Sequence, residues 1–155
     1  MPKRPVCARC VVRLFLALTA FFPGGCIAVV PHEPNVSLVD ARGLAEVRGL
    51  TSEVLTRASN RPITIVDITE SYLQYSWNES YLGPFYNVIT AHNENRIYFA
   101  NVARVEIYEN NNVFIWGPRD QRVDKILFLN AEDARLFTDC LLSLREARKA
   151  PSQSR

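Results

Sequence analysis

The hydrophobic period of this chain changes twice along its 155 residues, and those changes constrain the fold more than any other feature. Over residues 40–58 the spacing is helical: Leu44, Val47, Leu50, Thr51, Val54 and Ala58 recur every three or four positions and form one apolar stripe. Asp40 is placed to cap the start. Gly43 and Gly49 weaken the helix, each by up to about 1 kcal/mol relative to Ala. Asn60-Arg61-Pro62 ends it, because proline cannot continue the hydrogen-bond ladder.

From residue 62 the period falls to two. Ile63-Thr64-Ile65-Val66-Asp67-Ile68 is β-branched and strand-like. In Tyr72–Trp77, Leu73, Tyr75 and Trp77 alternate with polar residues, and Asn78-Glu79-Ser80 is expected to break the run. Gly83-Pro84 marks a turn, Phe85 to Ala91 alternates again, and His92-Asn93-Glu94-Asn95 is a turn by composition. Arg96–Phe99, Val102–Tyr108, Val113–Trp116 and Val123–Leu129 supply further strands. Asn110-Asn111-Asn112 is a hairpin signal, since Asn tolerates the positive φ of a tight turn.

The helical period then returns. Asn130 is a cap, Glu132 and Asp133 lie in the first turn, and Arg145, Arg148 and Lys149 lie at the far end, where each charge favours the helix dipole. Ala134, Phe137, Leu141 and Leu144 form the stripe, with Cys140 beside it as a small buried core residue. The expectation is a single α+β domain over 39–149. It is an antiparallel bent sheet or partly open barrel of six to seven strands, with an N-terminal helix and a C-terminal capping helix. Residues 150–155 read as a disordered tail.

The stretch from Arg96 to Lys149 resembles bacterial pleckstrin-homology-like domains. Ile97 to Ile107 is similar to that family's strand, short turn and next strand, with Asn101-Val102 standing where Asp-Ile is common. Ile126-Leu127-Phe128-Leu129 and the helix from Ala131 resemble its closing strand and capping helix. The resemblance implies peptide or protein recognition. It does not extend to phosphoinositide binding, because residues 62–95 contain no Lys or Arg to meet a phosphorylated headgroup.

The N-terminus reads as an address. Lys3, Arg4, Arg9 and Arg13 precede the uncharged run Leu14–Phe22, as in an export signal over 1–25. Those nine residues reach about 14 Å as a helix, short of a bilayer core of about 30 Å. Gly24-Gly25-Cys26 resembles the lipobox of bacterial lipoproteins, with Pro23 in place of the usual aliphatic residue. The resemblance implies cleavage before Cys26, acylation of its sulfur and a membrane partner. With Ile27 rather than Asp next, it also implies the periplasmic face of the outer membrane. A plain secretory signal and an uncleaved anchor over Val11–Val30 remain open alternatives. Pro31 and Pro34 favour an extended tether over 26–38.

Charge narrows the function. Four of the 18 basic residues lie in the first 25 positions, which leaves 14 bases against 16 acids in the rest. A folded part with an acidic balance does not suit nucleic acid. Cys7 and Cys10 form a C-x-x-C inside the signal, with no second pair to complete a zinc site. No metal or cofactor is expected. His32 lies in the tether and His92 in a turn, and neither has a nucleophile–acid set around it. No catalytic residue is assigned. The rival is a small periplasmic hydrolase in which acids such as Asp67 and Glu70 converge.

The aromatics stand out. Tyr72, Tyr75, Trp77, Tyr81, Phe85 and Tyr86 fall within fifteen residues. By alternation about half face the core. Tyr72, Tyr75, Trp77, Tyr81 and Tyr86 are the candidate partner-binding surface, since Tyr and Trp dominate interface hot spots. The expected function is a membrane-tethered envelope lipoprotein, a non-catalytic protein-binding or assembly module. A purely structural envelope protein is the further alternative.

Overall fold

The computed structural model describes residues 27–149. The signal, Cys26 and the tail at 150–155 lie outside the described residues. The chain order is β1 (Val29–Val30), α1 (Leu38–Arg42), α2 (Leu44–Ala58), β2 (Ile63–Ile68), β3 (Tyr72–Leu82), β4 (Val88–Tyr98), β5 (Arg104–Tyr108), β6 (Asn112–Trp116), β7 (Arg122–Leu127) and α3 (Ala131–Lys149). The class is α+β, as expected. The strands form two antiparallel sheets rather than one bent sheet, in the orders β1-β5-β6-β7 and β2-β3-β4, and no barrel closes among the described residues.

The core lies where the helices meet the inner faces of both sheets. Val47, Val54, Leu55 and Ala58 of α2 pack with Phe137, Cys140, Leu141 and Leu144 of α3. Leu73, Tyr75 and Ile97 come from the three-stranded sheet, and Ile107, Val113, Ile115 and Ile126 from the four-stranded one. Arg57 Nη2 reaches Asp133 Oδ1 at 2.9 Å and ties the end of α2 to the start of α3. The Asn130 cap forms as expected, its Oδ1 accepting from the Asp133 N–H at 2.8 Å.

Three sequence readings change. The first helix begins at Leu38 and breaks at Gly43, whose φ of 88° belongs to glycine. Asp40 therefore sits inside α1 instead of capping a helix. The segment read as an extended tether lies along the domain over its described part. Val29 and Val30 pair with Tyr108 and Ile107 of β5, and His32 Nε2 meets Asp139 Oδ1 of α3 at 2.7 Å. The prolines deny a helix there but leave the extended edge pairing that β1 uses.

The third change concerns the middle of the chain. Asn78-Glu79-Ser80 and His92-Asn93-Glu94-Asn95 are not turns. They are mid-strand positions of β3 and β4, which stay in register from Tyr72↔Tyr98 to Leu82↔Val88. Backbone pairing between two strands needs no buried face, so polar residues on both sides do not interrupt it. β3 turns into β4 at 83–87.

Candidate docking ribbon and its base

β2 covers β3 only up to the Ile63↔Trp77 pair. Beyond it, residues 78–82 and 88–92 pair with each other alone. Five residue pairs at about 3.4 Å each make a free ribbon of roughly 17 Å, plus its turn.

Alternation sorts the candidate aromatics. Tyr75 is wholly buried, which corrects its assignment to the partner-binding surface: its position on β3 points into the core beside Leu73. Its ring stacks on Trp77 at 5.7 Å. Trp77 is half-buried, and the Arg61 guanidinium lies 4.5 Å from its ring centroid. Tyr72 is also half-buried, edge-on to Tyr98 at 5.9 Å and under Arg96 at 4.7 Å. Tyr81 and Tyr86 are exposed, at 52% and 91%.

The base of the ribbon is a polar joint. The Tyr75 hydroxyl donates to Asp124 Oδ2. Arg61 Nη1 donates to the same hydroxyl oxygen at 3.1 Å, and Arg61 Nη2 to the Lys125 carbonyl at 3.1 Å. Asp124 faces inward because it stands opposite Ile115 on β6. Burial pushes the Tyr75 phenol well above its ordinary range, and the Asp124 carboxylate adds to the shift. The joint therefore fastens β3 to β7 across the seam between the sheets. An open cleft of about 480 Å³ lies beside it, lined by Arg61, Pro62, Trp77, Asn78, Glu79 and Ser80.

The far end of the ribbon is largely apolar, with Asn87 as its exposed polar side chain. Leu82 is 71% exposed, Phe85 96% and Val88 69%. Leu82 and Val88 pair on one face, Tyr81 and Ile89 on the other. Phe85 and Tyr86 crown the turn, with φ of 71° and 60°. Two adjacent aromatics in the left-handed region are strained, at about 1–2 kcal/mol each. Hydrogen bonds from the Gly83 N–H to the Asn87 carbonyl at 2.8 Å and from the Tyr86 N–H to the Gly83 carbonyl at 3.2 Å hold them there. Below the crown is a polar collar: Ser80 Oγ meets Thr90 Oγ1 at 3.1 Å, and His92 Nδ1 meets Asn78 Oδ1 at 3.0 Å.

Leu82, Phe85 and Val88 were absent from the candidate surface read from sequence. Their signal was Gly83-Pro84 between two alternating runs. Asn-rich stretches taken as turns hid it by cutting both strands short.

A second, half-buried cluster covers the outer face of β5 and β6. Glu106 accepts from Trp116 Nε1 at 2.7 Å, Tyr108 Oη at 3.2 Å and Arg104 Nε at 2.9 Å. Partial burial opposes the charge, but these donors prevail and hold the Glu106 carboxyl below its usual range. Phe114 stacks near Trp116 at 5.9 Å. Arg104 Nη1 also pairs with Asp120.

Asp67 and Glu70 are both exposed, and Asp67 Oδ2 accepts from Tyr72 Oη at 3.3 Å. Neither lines the Arg61–Trp77 cleft. No group of three His, Cys, Asp or Glu suited to a metal ion occurs among the described residues. No helix among them is long and apolar enough to cross a membrane. No protein-family model, curated protein or solved structure matches the chain.

Proposed function

We propose that this chain is an exported, lipid-anchored protein of the cell envelope that works as a non-catalytic docking module. The Gly24-Gly25-Cys26 sequence supplies the anchor, and the β3–β4 ribbon supplies recognition. One observation carries the reading. The most exposed large apolar side chains of the described residues, Phe85, Tyr86, Leu82 and Val88, are gathered on one projecting turn. Large contiguous apolar exposure of that kind marks an interaction site. The two sheets and three helices act as the mount, and the Arg61–Tyr75–Asp124 joint stiffens the ribbon where it leaves the core. The finer pleckstrin-homology-like assignment belongs to the same proposal. It is supported by the succession of β5, β6, β7 and a C-terminal helix packed on the sheets.

The non-catalytic reading is supported by the positions of the acids. Asp67 and Glu70 are solvated, and Asp67 is engaged by a tyrosine rather than by a second carboxylate across a cleft. The experiment is intact mass and membrane fractionation of the wild type and Cys26→Ala. The expected wild-type product begins at Cys26, carries acyl mass and sediments with membranes. The variant lacks the acyl mass and leaves the membrane fraction. An unmodified soluble chain in both cases would overturn the anchor.

A further inference from the structure

We infer that the crown of the ribbon is a membrane wedge: Tyr81, Leu82, Phe85, Tyr86 and Val88 enter the interfacial zone of a lipid bilayer. The inference rests on the ribbon being the docking element, and it names what the ribbon docks to.

Shape is the first ground. The crown is convex and stands on five free residue pairs. A convex apolar knob on a protein partner needs a matching groove, whereas a bilayer yields around it. Chemistry is the second ground. Residues 80–91 carry no charged side chain at all. Protein interfaces commonly set aromatic anchors beside Arg, and the crown has no Arg or Lys beside its aromatics. Aromatic and aliphatic side chains without charge suit the boundary between headgroups and acyl chains.

The backbone limits the depth. Residues 78–82 and 88–92 use only one edge each, so their outer N–H and C=O groups still require water. Such a ribbon cannot cross hydrocarbon. It can lower its tip by about 5–10 Å into the interface. The collar of Asn78, Glu79, Ser80, Thr90 and His92 sits where that entry must stop. The strained φ values are the third ground. Phe85 and Tyr86 are held in a conformation that their residue types disfavour, with both rings almost wholly in solvent. Nothing inside the molecule gains from that arrangement, so the gain lies outside it.

A wedge adds something that an acyl chain cannot. One attachment point leaves the domain free to rotate, and a second fixes its face toward the membrane. With no Lys or Arg between residues 62 and 95, the wedge gains nothing from anionic lipid.

The test uses the mature acylated protein carrying Phe85→Trp, bound to phosphatidylcholine vesicles whose acyl chains bear bromine. The wild type, with Trp77 and Trp116, supplies the background. The introduced indole is expected to shift to shorter wavelength and to be quenched by the bromine. The signal should not rise with phosphatidylglycerol added and should not fall at raised salt. The same quenching is expected when Cys26→Ala is added and the acyl group is gone, at lower occupancy. Phe85→Ser with Tyr86→Ser should cut vesicle partitioning of that unacylated chain by about tenfold or more while leaving the melting curve in place.

A vesicle-bound acylated protein with no quenching above background overturns the wedge and leaves the anchor standing. Loss of acylation with quenching retained overturns the anchor and leaves the wedge. If quenching is absent and the serine variants instead lose a specific envelope protein from crosslinks at the tip, the ribbon docks a protein. The bilayer reading then falls.

Discussion

The Tyr75 hydroxyl donates to the buried carboxylate of Asp124, joining two strands that belong to different sheets. Asp124 has little else. Arg61 Nη1 lies 4.0 Å from its other oxygen, and Asp124 Oδ1 accepts from the Lys125 N–H at 2.7 Å. Tyr75→Phe removes the donor and keeps the ring, so the carboxylate is left short of a partner in a dry place. The expected cost is about 1–3 kcal/mol, measured by denaturant unfolding. Tyr75→Phe combined with Asp124→Asn should lose less than the sum of the two single changes, because the charge that needed the hydroxyl has gone. Additive losses would mean that the two side chains do not share this bond.

The same joint sets an alkaline limit. Burial first, and the Asp124 carboxylate second, raise the Tyr75 phenol above its ordinary pKa of about 10. A group whose folded pKa is raised stabilises the fold fully below its unfolded pKa and loses that contribution as pH rises through the folded one. Stability should therefore be level up to about pH 10 with respect to this group and fall above it. The Tyr75→Phe variant should start lower and lack that part of the slope. Unfolding free energies across the alkaline range check it, and parallel slopes in the two proteins would count against the assignment.

Helical periods were legible because most of each stripe faces one core, although Leu44 at the start of the α2 stripe is exposed. Val47, Val54 and Ala58 on α2, and Phe137, Leu141 and Leu144 on α3, are buried as their spacing required. The strands from Arg104 to Leu127 were legible for the same reason, and Asn111, at φ 59°, turns the chain where the Asn run said it would. The ribbon was legible only in part: Gly83-Pro84 and the alternation from Phe85 to Ala91 marked its tip, but the polar stretches at 78–80 and 92–95 hid its length. There the strands bury little, so Asn78, Glu79, His92 and Asn93 carry no hydrophobic alternation and read as turn residues. Tyr75 was misplaced for the opposite reason. It looks like a surface residue beside its neighbours, and only the inward Asp124, 49 positions away, explains a buried phenol.

Residues 27–37 are strapped to the domain by few bonds. His32 Nε2 and the Asn35 N–H both meet Asp139 Oδ1, at 2.7 and 3.1 Å, and Ser143 Oγ donates to the Asn35 carbonyl at 2.8 Å. Asp139→Ala removes the shared acceptor. The expected loss of global stability is about 1 kcal/mol, but the local effect is larger. Amides of residues 29–37 should lose most of their exchange protection while those of α3 keep theirs. Hydrogen exchange read by mass spectrometry decides it, and unchanged protection over 29–37 would show that β1 pairing alone holds the strap.

Cys140 is wholly buried on α3, and burial pushes its thiol up to about 11 against a weaker opposing bond from Thr51, with Asp139 adding to the rise. The thiolate is the reactive form, so the folded protein should not be alkylated at this position near neutral pH. Peptide mapping after iodoacetamide treatment should find Cys140 unmodified in the native protein and fully modified in denaturant. Rapid native labelling would mean that α3 opens readily from the core.

The last prediction separates a ribbon shaped for docking from one shaped for stability. Phe85 and Tyr86 hold φ of 71° and 60°, where Asn is tolerated and aromatic residues are not. Phe85→Asn with Tyr86→Asn keeps the backbone path and removes part of the strain. Because both rings are almost wholly exposed, the change sacrifices little packing. The double variant should therefore be as stable as the wild type or more so, by up to about 1 kcal/mol. Its docking should be lost, because the crown no longer presents aromatic surface. Tyr81→Asn is the internal control. Tyr81 is in regular pairing opposite Ile89, so there Asn only sacrifices strand propensity and should destabilise slightly. Thermal melts of the three proteins beside the vesicle measurement give the result. A destabilised double variant would mean that the aromatic crown supports the fold itself, and the argument from strain to function would fail.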